Sequence, residues 1–146
     1  MILIAHRGNT NGESKYENNP DYLLHAMQKY NVETDVWYVG YKFYLGHDEP
    51  QYLVDIDFLK KEKIWCHAKN LQALEEMLKY NIHCFWCEFN VPSFTSRGYI
   101  WAYPSKQLTD KTICVMPEVI PMNKRYNWDN CAGVCSDFIG EYYLLY

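Results

Sequence analysis

Seven short apolar runs are spaced along the whole chain, and they restrict the folds that this sequence can adopt. They begin near residues 2, 32, 64, 83, 99, 113 and 133. The first run, Ile2–Ala5, is continuously apolar, which is typical of a strand buried on both faces of a parallel sheet. A polar loop, a helix pattern that opens near residue 20 and the run at Val32 follow it. This order is a βαβ unit, so the sequence predicts an α/β fold.

Two helices have clear start signals. Asn19 is a suitable N-cap, and Pro20 suits the first position of the helix that follows. Asn70 is the N-cap expected for a second, amphipathic helix that packs against the sheet. Its apolar stripe is expected to contain Leu71, Leu74, Leu78 and either Met77 or Ala73. Residues 57–62 have room for only about two helical turns, so the roof over that part of the molecule should be small.

Reactive side chains are concentrated in the first fifty residues. They form four pieces, which are His6-Arg7-Gly8, Glu17-Asn18, Glu33-Thr34-Asp35 and His47-Asp48. Histidine titrates near neutral pH, so His6 and His47 are a candidate acid and base. Arginine has a planar fork that matches phosphate oxygens, and carboxylates are hard ligands for divalent cations. The set predicts metal-assisted phosphoryl chemistry, with Arg7 on the phosphate and Glu33 and Asp35 on the metal.

The spacing of these pieces favours a single site. His6 comes directly after the first strand, at its carboxyl end. Glu33 and Asp35 are two residues apart on a strand, so their side chains share a face and their Cα atoms lie about 7 Å apart, close enough for one cation to bridge them. A hairpin arm over residues 41–45 is expected to bring His47 back toward the same region.

The order of the four pieces resembles the glycerophosphodiester phosphodiesterase family, whose relatives include phosphatidylinositol-specific phospholipase C and the spider-venom phospholipases D. The resemblance implies a TIM-type (β/α) barrel with its site at the carboxyl ends of the strands, a Mg²⁺ or Ca²⁺ ion, and in-line attack on a phosphodiester. By position, it assigns the acid and base to His6 and His47, phosphate binding to Arg7, the metal to Glu33 and Asp35, and supporting roles to Glu17 and Asp48.

The run over residues 63–69 departs from the family pattern. The family has Glu-x-Lys here, with the Glu as a metal ligand and the Lys as a phosphate contact; this chain has His67 and Lys69. Lys69 fits the phosphate role, whereas His67 is either a metal ligand or a substrate or core residue. As a ligand, imidazole would favour Mn²⁺ or Zn²⁺ relative to Mg²⁺ or Ca²⁺. Glu88 or Glu118, each after a later strand, could also supply the missing carboxylate.

Residues 132–138 are similar to the closing strand of the family, with Ser136 and Asp137 in place of its Thr-Asp. The resemblance therefore reaches nearly the whole chain, and it is strongest over residues 1–48. A length of 146 residues suits one domain but is far below the roughly 250 residues of a typical barrel. We therefore expect a single domain over residues 1–146, folded as a shortened barrel that need not close completely.

Charge and composition exclude several classes of protein. A net charge of −4 and a pI near 5.7 argue against a nucleic-acid binder, which normally has a basic surface. No apolar run approaches 18 residues, so stable membrane insertion is not expected. The first residues lack the pattern of a signal peptide, which favours a cytoplasmic location. Nothing in the pattern indicates an oligomeric state.

The six cysteines are expected to be reduced and buried. The pairs Cys84 with Cys87 and Cys131 with Cys135 have spacings found in zinc sites. However, residues 84–89 are expected to form one strand, and residues three apart on a strand project from opposite faces, so Cys84 and Cys87 could not hold one ion without a turn between them.

The sequence thus predicts a phosphoric diester hydrolase that acts on glycerophosphodiester-like or related small phosphodiesters through two histidines. The expected cofactor is a divalent cation, Mg²⁺ or Ca²⁺, with Mn²⁺ or Zn²⁺ as alternatives. The alternative function is a degenerate, non-catalytic barrel that binds a phosphorylated ligand or acts as an interaction module.

Overall fold

The computed structural model describes residues 1–104, 107–121 and 130–144, and within these ranges it contains ten strands and four α-helices. The strands are β1 (Ile2–Ala5), β2 (Asn31–Val39), β3 (Lys42–Leu45), β4 (Tyr52–Val54), β5 (Ile64–Ala68), β6 (Cys84–Phe85), β7 (Ser93–Phe94), β8 (Ile100–Ala102), β9 (Thr112–Val115) and β10 (Gly133–Ser136). The helices are α1 (Pro20–Ala26), α2 (Ile56–Leu59), α3 (Leu71–Lys79) and α4 (Ile139–Tyr143). Short 3₁₀ turns occupy His6–Gly8 and Pro117–Val119.

Seven strands run parallel to their neighbours in the order β6-β5-β2-β1-β10-β9-β8. They are the seven apolar runs of the sequence, so the predicted strands are confirmed. The parallel register pairs Ile4 with Cys135 across β1 and β10, and Val32 with Ile64 across β2 and β5. The predicted hairpin arm is also confirmed, because β3 lies antiparallel to the second half of β2. Strand β4 continues that hairpin at the edge of the sheet.

The strand order is open, because β6 and β8 stand at the two ends of the parallel series. Strand β7 lies antiparallel on β8, and an isolated antiparallel bridge joins Phe85 of β6 to Thr95. The predicted α/β class is therefore confirmed as a mixed sheet with helices, and among the described residues the strand ladders do not form a closed barrel. In the described ranges, no helix combines the length and the apolar character needed to span a bilayer.

The sheet has a different core on each face, because alternate residues of a strand point in opposite directions. On one face, Ile64 and Cys66 of β5 pack with Leu23 of α1 and with Ala73 and Met77 of α3. On the other face the core is aromatic, with Trp65, Phe85 and Trp101 buried together. The ring centroids of Phe85 and Trp101 lie 4.4 Å apart, and those of Trp65 and Trp101 lie 6.1 Å apart.

Both predicted helix starts are confirmed. The side chain of Asn19 accepts hydrogen bonds from the backbone N–H groups of Asp21 and Tyr22, as an N-cap does. Asn70 accepts from the N–H of Ala73 and also exchanges two hydrogen bonds with the backbone of Tyr38 in β2. These bonds tie the first turn of α3 to the sheet.

Two details of the prediction are wrong. The buried face of α3 is formed by Ala73 and Met77, whereas Leu71 and Leu78 are 64% and 53% exposed. The rotation of the helix follows from the attachment of Asn70 to β2 and not from the spacing of the leucines. The strand expected over residues 84–89 ends at Phe85, and the carbonyl of Cys87 beyond it lies near His67. Helix α2 makes about one turn, which is within the limit of about two turns that the sequence sets for this segment.

Candidate functional site

Glu33, Asp35 and His67 meet where β2 and β5 lie side by side. The register pairs Asp35 with His67, and the two-residue period places Glu33 on the same face. One ligand atom from each of the three residues lies within 4.8 Å of the other two. Both carboxylates are buried, and the imidazole is partly buried. The structure thus brings the two predicted metal ligands together with the residue whose role the sequence left open.

The imidazole of His67 points into this cluster and is held on both sides. Its Nδ1 lies 3.1 Å from Oδ1 of Asp35 and 3.8 Å from Oε1 of Glu33. Its Nε2 lies 3.2 Å from the backbone carbonyl oxygen of Cys87. The ring stacks on Phe85, with centroids 5.2 Å apart and planes 2° from parallel. His67 therefore lies within the carboxylate cluster, where it pairs with Asp35 and is within reach of a cation that the three side chains could share.

His6 is oriented toward the same cluster by residues from the other end of the chain. Its Nδ1 lies 2.8 Å from Oδ1 of Asp137, and its Nε2 lies 3.9 Å from Oε2 of Glu33. Asn9 donates a second hydrogen bond, of 2.7 Å, to the same oxygen of Asp137. Burial by itself lowers the pKa of His6, but the hydrogen bond to Asp137 and the charge of Glu33 raise it above its ordinary value.

Arg7 lies against carboxylates from two directions. Its Nε is 3.0 Å from Oδ2 of Asp35, and one terminal nitrogen is 3.2 Å from Oε2 of Glu17. Its backbone N–H donates to Oε2 of Glu33. Arg7 has a positive φ of 51°, and Gly8 follows with a φ of 89°; a Cβ on Gly8 would lie 2.8 Å from the ring of Tyr22, so only glycine fits this turn.

Lys69, the second predicted phosphate contact, follows β5. Its Nζ lies 3.8 Å from Oδ1 of Asp35, and its backbone N–H donates to the carbonyl oxygen of Val36 in β2. Both predicted phosphate binders therefore flank the buried carboxylates, and each forms an ion pair with Asp35 in this structure.

Glu17 and Asn18 connect the first loop to the carboxylate cluster. Glu17 accepts hydrogen bonds from Arg7 and, over 2.7 Å, from Asn9. Asn18 is 1% exposed and has a φ of 62°. Its amide donates to Oδ2 of Asp35 over 2.9 Å, and its oxygen accepts from the N–H of Asp35 and from the hydroxyl of Thr34. Asn18 thus holds the carboxylate of Asp35 in place.

The two central carboxylates have opposite pKa shifts. Burial raises the pKa of Glu33, and the neighbouring charge of Asp35 raises it further. Burial also acts to raise the pKa of Asp35, but the hydrogen bond to His67 and the charge of Arg7 outweigh it, and the pKa falls well below its usual range. Two carboxylates this close repel each other, so a cation between them would relieve that repulsion.

The charge balance of the site fits a divalent cation. Four carboxylates lie in contact with the basic side chains of the site, namely Glu17, Glu33, Asp35 and Asp137. Arg7 and Lys69 are its two permanent cations. The four carboxylates and these two cations sum to a formal charge of −2 before either imidazole is counted. Two carboxylates and an imidazole are ligands that divalent metals accept, so the donor set fits the predicted cofactor.

His47 lies outside the buried cluster. Its imidazole is 44% exposed, and its Nδ1 lies 2.8 Å from Oδ1 of Asp48, which is itself 91% exposed. The loop that carries His47 is nevertheless attached to β2, because the N–H of Gly46 donates to the backbone oxygen of Asp35. His47 also lines a surface cavity of about 250 Å³ together with Glu17 and Asn18. The hairpin therefore brings it to the edge of the site and not into its centre.

Several residues of the site were absent from the sequence prediction. The sequence did contain a pattern that could have identified Asp137, because this residue belongs to the Ser-Asp pair of the closing strand. Asn9 and the carbonyl of Cys87 had none. Neither replacement carboxylate belongs to the cluster. Glu88 is exposed, and Glu118 accepts hydrogen bonds from the Ser136 hydroxyl and the Asp137 N–H, so it supports the end of β10.

No family model, curated protein or solved structure matches this chain. The resemblance to the glycerophosphodiesterases therefore depends only on the short motifs of this chain.

Proposed function

We propose that this chain is a divalent-metal-dependent phosphodiesterase that acts on glycerophosphodiester-like or related small phosphodiesters. One observation carries the proposal: the buried cluster of Glu33, Asp35 and His67 lies next to an imidazole, His6, that Asp137 holds in a fixed orientation. A cation site beside an oriented acid or base is what phosphodiester hydrolysis requires.

Glu33, Asp35 and His67 would hold the cation. When bound, the cation supplies Lewis-acid stabilisation of a non-bridging phosphate oxygen. Asn18 fixes the carboxylate of Asp35 through its amide, and the N–H of Arg7 contacts Glu33, so both ligands are held before anything binds.

His6 is suited to move a proton at Nε2. Asp137 accepts the hydrogen of Nδ1–H, so in the neutral ring Nε2 carries the lone pair. His47 has the same arrangement on the surface, since Asp48 lies 2.8 Å from its Nδ1. One imidazole would take the proton of the nucleophile, and the other would protonate the leaving alcohol.

Arg7 and Lys69 would bind the phosphate. Each brings a permanent positive charge to within 4 Å of Asp35, at 3.0 and 3.8 Å, on the rim of the carboxylate cluster. A phosphodiester anion at this rim would gain charge-assisted hydrogen bonds from both side chains.

The fold that we propose for this function is a shortened (β/α) barrel. Seven parallel strands support it, and polar groups follow the carboxyl ends of β1, β5 and β10, as in barrel enzymes. The segment after β7 supports it as well, because it lies between β6 and β8. Thr95 bridges to Phe85, and the N–H of Ser96 donates to the carbonyl oxygen of Cys84 over 2.8 Å.

The second candidate function is a non-catalytic protein that binds a phosphorylated ligand. Two observations favour it. The charge of Arg7 is already engaged by Asp35 and Glu17, and the imidazole of His47 is exposed outside the cluster. A protein that only binds phosphate needs Arg7 and Lys69 but does not need two positioned imidazoles.

The test is a hydrolysis assay of the purified protein with a chromogenic phosphodiester and with glycerophosphodiesters, in the presence of Mg²⁺, Ca²⁺, Mn²⁺ or Zn²⁺ and in excess chelator. We expect activity that requires added metal and is lost in Glu33→Gln. His25→Gln, an exposed change on α1, is the control and should keep full activity. Full activity in excess chelator together with an active Glu33→Gln protein would overturn the metal-dependent mechanism. Phosphate binding without hydrolysis under every condition would favour the second candidate.

A further inference from the structure

We infer that Nδ1 of His67 is an orientated nitrogen ligand of the cation site, and that this ligand makes the site prefer Mn²⁺ and similar transition-metal ions over Mg²⁺ and Ca²⁺. The inference builds on the proposed function in that it treats the cluster as a cation site, but it concerns binding and does not require turnover.

The carbonyl of Cys87 determines which nitrogen is available. A carbonyl oxygen can only accept a hydrogen bond, so the 3.2 Å contact with Nε2 requires the hydrogen to be on Nε2. Asp35 also accepts a hydrogen bond, from Nδ1, when no ion is present, and a cation that binds between the three side chains displaces that hydrogen and takes the lone pair of Nδ1. That nitrogen lies 3.1 Å from Asp35 and 3.8 Å from Glu33, and a metal ligand that donates its other N–H to a backbone carbonyl is a common arrangement.

The ring is also held in position before any ion binds. Phe85 stacks on it almost in parallel, and Phe85 is itself 1% exposed and packed against Trp101. The imidazole therefore loses little freedom when it coordinates a metal, which increases its contribution to affinity.

The donor set explains the preference among ions. Mg²⁺ and Ca²⁺ are hard cations that bind through oxygen, and a neutral nitrogen in place of a carboxylate lowers both the ligand charge and the number of oxygen donors. Imidazole suits Mn²⁺ less well than it suits later transition metals, but better than it suits Mg²⁺. His67 contributes a nitrogen to a cluster whose other donors are carboxylate oxygens. Replacing it should therefore change the preference among metal ions more than it changes whether the site binds a cation at all.

The experiment measures Mn²⁺ and Mg²⁺ affinity on the full chain by equilibrium dialysis, with free Mn²⁺ followed by its EPR signal. The proteins are the unchanged chain, His67→Glu, His67→Gln and the control His25→Gln. We expect the ratio of Mn²⁺ to Mg²⁺ affinity to fall by about tenfold or more in His67→Glu, a size comparable to the loss of one ligand-shell contact. His67→Gln should lose Mn²⁺ affinity, and His25→Gln should match the unchanged chain. Circular dichroism checks that each variant is folded.

A second measurement identifies the ligand atom. In ¹⁵N-labelled protein loaded with ¹¹³Cd²⁺, scalar coupling of the metal to Nδ1 of His67 is expected. Coupling to Nε2 of His67, coupling to neither nitrogen, or an affinity ratio that does not change in His67→Glu would overturn the inference. The proposed function can fail separately: the predicted metal preference without any phosphodiester hydrolysis would leave the inference intact, and hydrolysis with an unchanged ratio would leave the proposed function intact.

Discussion

His6 and His83 are both largely removed from solvent, yet their surroundings have opposite effects on their charge. His6 follows the carboxyl end of β1, and its side chain is 15% exposed. His83 precedes the amino end of β6, is 3% exposed and packs on Trp65 with ring centroids 4.1 Å apart. Burial lowers the pKa of both imidazoles. At His6 the hydrogen bond to Asp137 reverses the shift, whereas at His83 burial and the charge of Arg97 lower the pKa to about 4.

The difference shows that the two ends of the parallel strands provide different environments for a buried imidazole. Carboxylates and cations converge after the carboxyl ends, so a charged imidazole is stabilised there. The imidazole of His83 instead forms a hydrogen bond of 2.9 Å between Nε2 and the hydroxyl of Thr95 and packs against the rings of Trp65 and Tyr99. Proton-transfer chemistry is therefore expected at one end only, and the aromatic end should contribute to stability.

The largest expected effect separates these two histidines. His6→Gln should reduce kcat for the phosphodiester by about 10²- to 10⁴-fold, because it removes an acid or base that the site holds in position. His83→Gln should leave kcat of the folded protein within a few-fold of the unchanged chain. Both are measured by initial rates with saturating metal. Equal losses in the two variants would remove the distinction between the two ends.

The second effect compares a buried imidazole with an exposed one at the same end. His47→Gln should also reduce kcat by at least about 10²-fold if His47 is the partner of His6 in acid and base catalysis. The free energy of unfolding should hardly change, because His47 lies on an exposed loop. The measurement is kcat together with a urea unfolding curve. An active His47→Gln protein beside an inactive His6→Gln protein would show that a single histidine serves the reaction.

The third effect is a dependence of stability on pH at the aromatic end. The folded pKa of His83, about 4, lies below the ordinary value of 6.5, so the unfolded chain binds more protons between these two values. The contribution of His83 is therefore complete above about pH 6.5 and is lost as the pH falls to about 4. Over this window it should amount to no more than about 3 kcal/mol. Urea unfolding of the unchanged chain and of His83→Gln from pH 7 to pH 4 tests this.

The variant should have the flatter profile in that window, since Gln does not titrate. His25→Gln is the control, because it makes the same substitution at an exposed histidine on α1. Parallel profiles for the unchanged chain and His83→Gln would show that His83 is not held neutral by burial.

The smallest expected effect concerns Lys69, which lies beside the carboxylate cluster. Lys69→Met removes a cation that lies 3.8 Å from Asp35 while keeping most of the length of the side chain. We expect KM for the phosphodiester to rise by about tenfold, the lower end of what one hydrogen bond to a charged group contributes, with a smaller change in kcat. A fall in kcat at constant KM would instead assign Lys69 to the transition state.

Local sequence patterns were sufficient for the elements that build the site. The seven strands and the capped helices were predictable, because buried strands and N-caps have short, local signatures such as Ile2–Ala5 and Asn70. The placement of Glu33 and Asp35 on one face of β2 followed from the two-residue period that every strand has. These properties depend only on neighbours in the chain.

The tertiary structure alone decided how the reactive groups are arranged. Asp137 orients His6 across 131 residues, and the Cys87 carbonyl holds His67 across 20. The rotation of α3 and the exposure of His47 were likewise set by contacts with other elements. Hydrogen bonds between distant segments leave no local pattern, because they depend on which strands become neighbours in the sheet. A backbone carbonyl leaves none at all, since every residue has one.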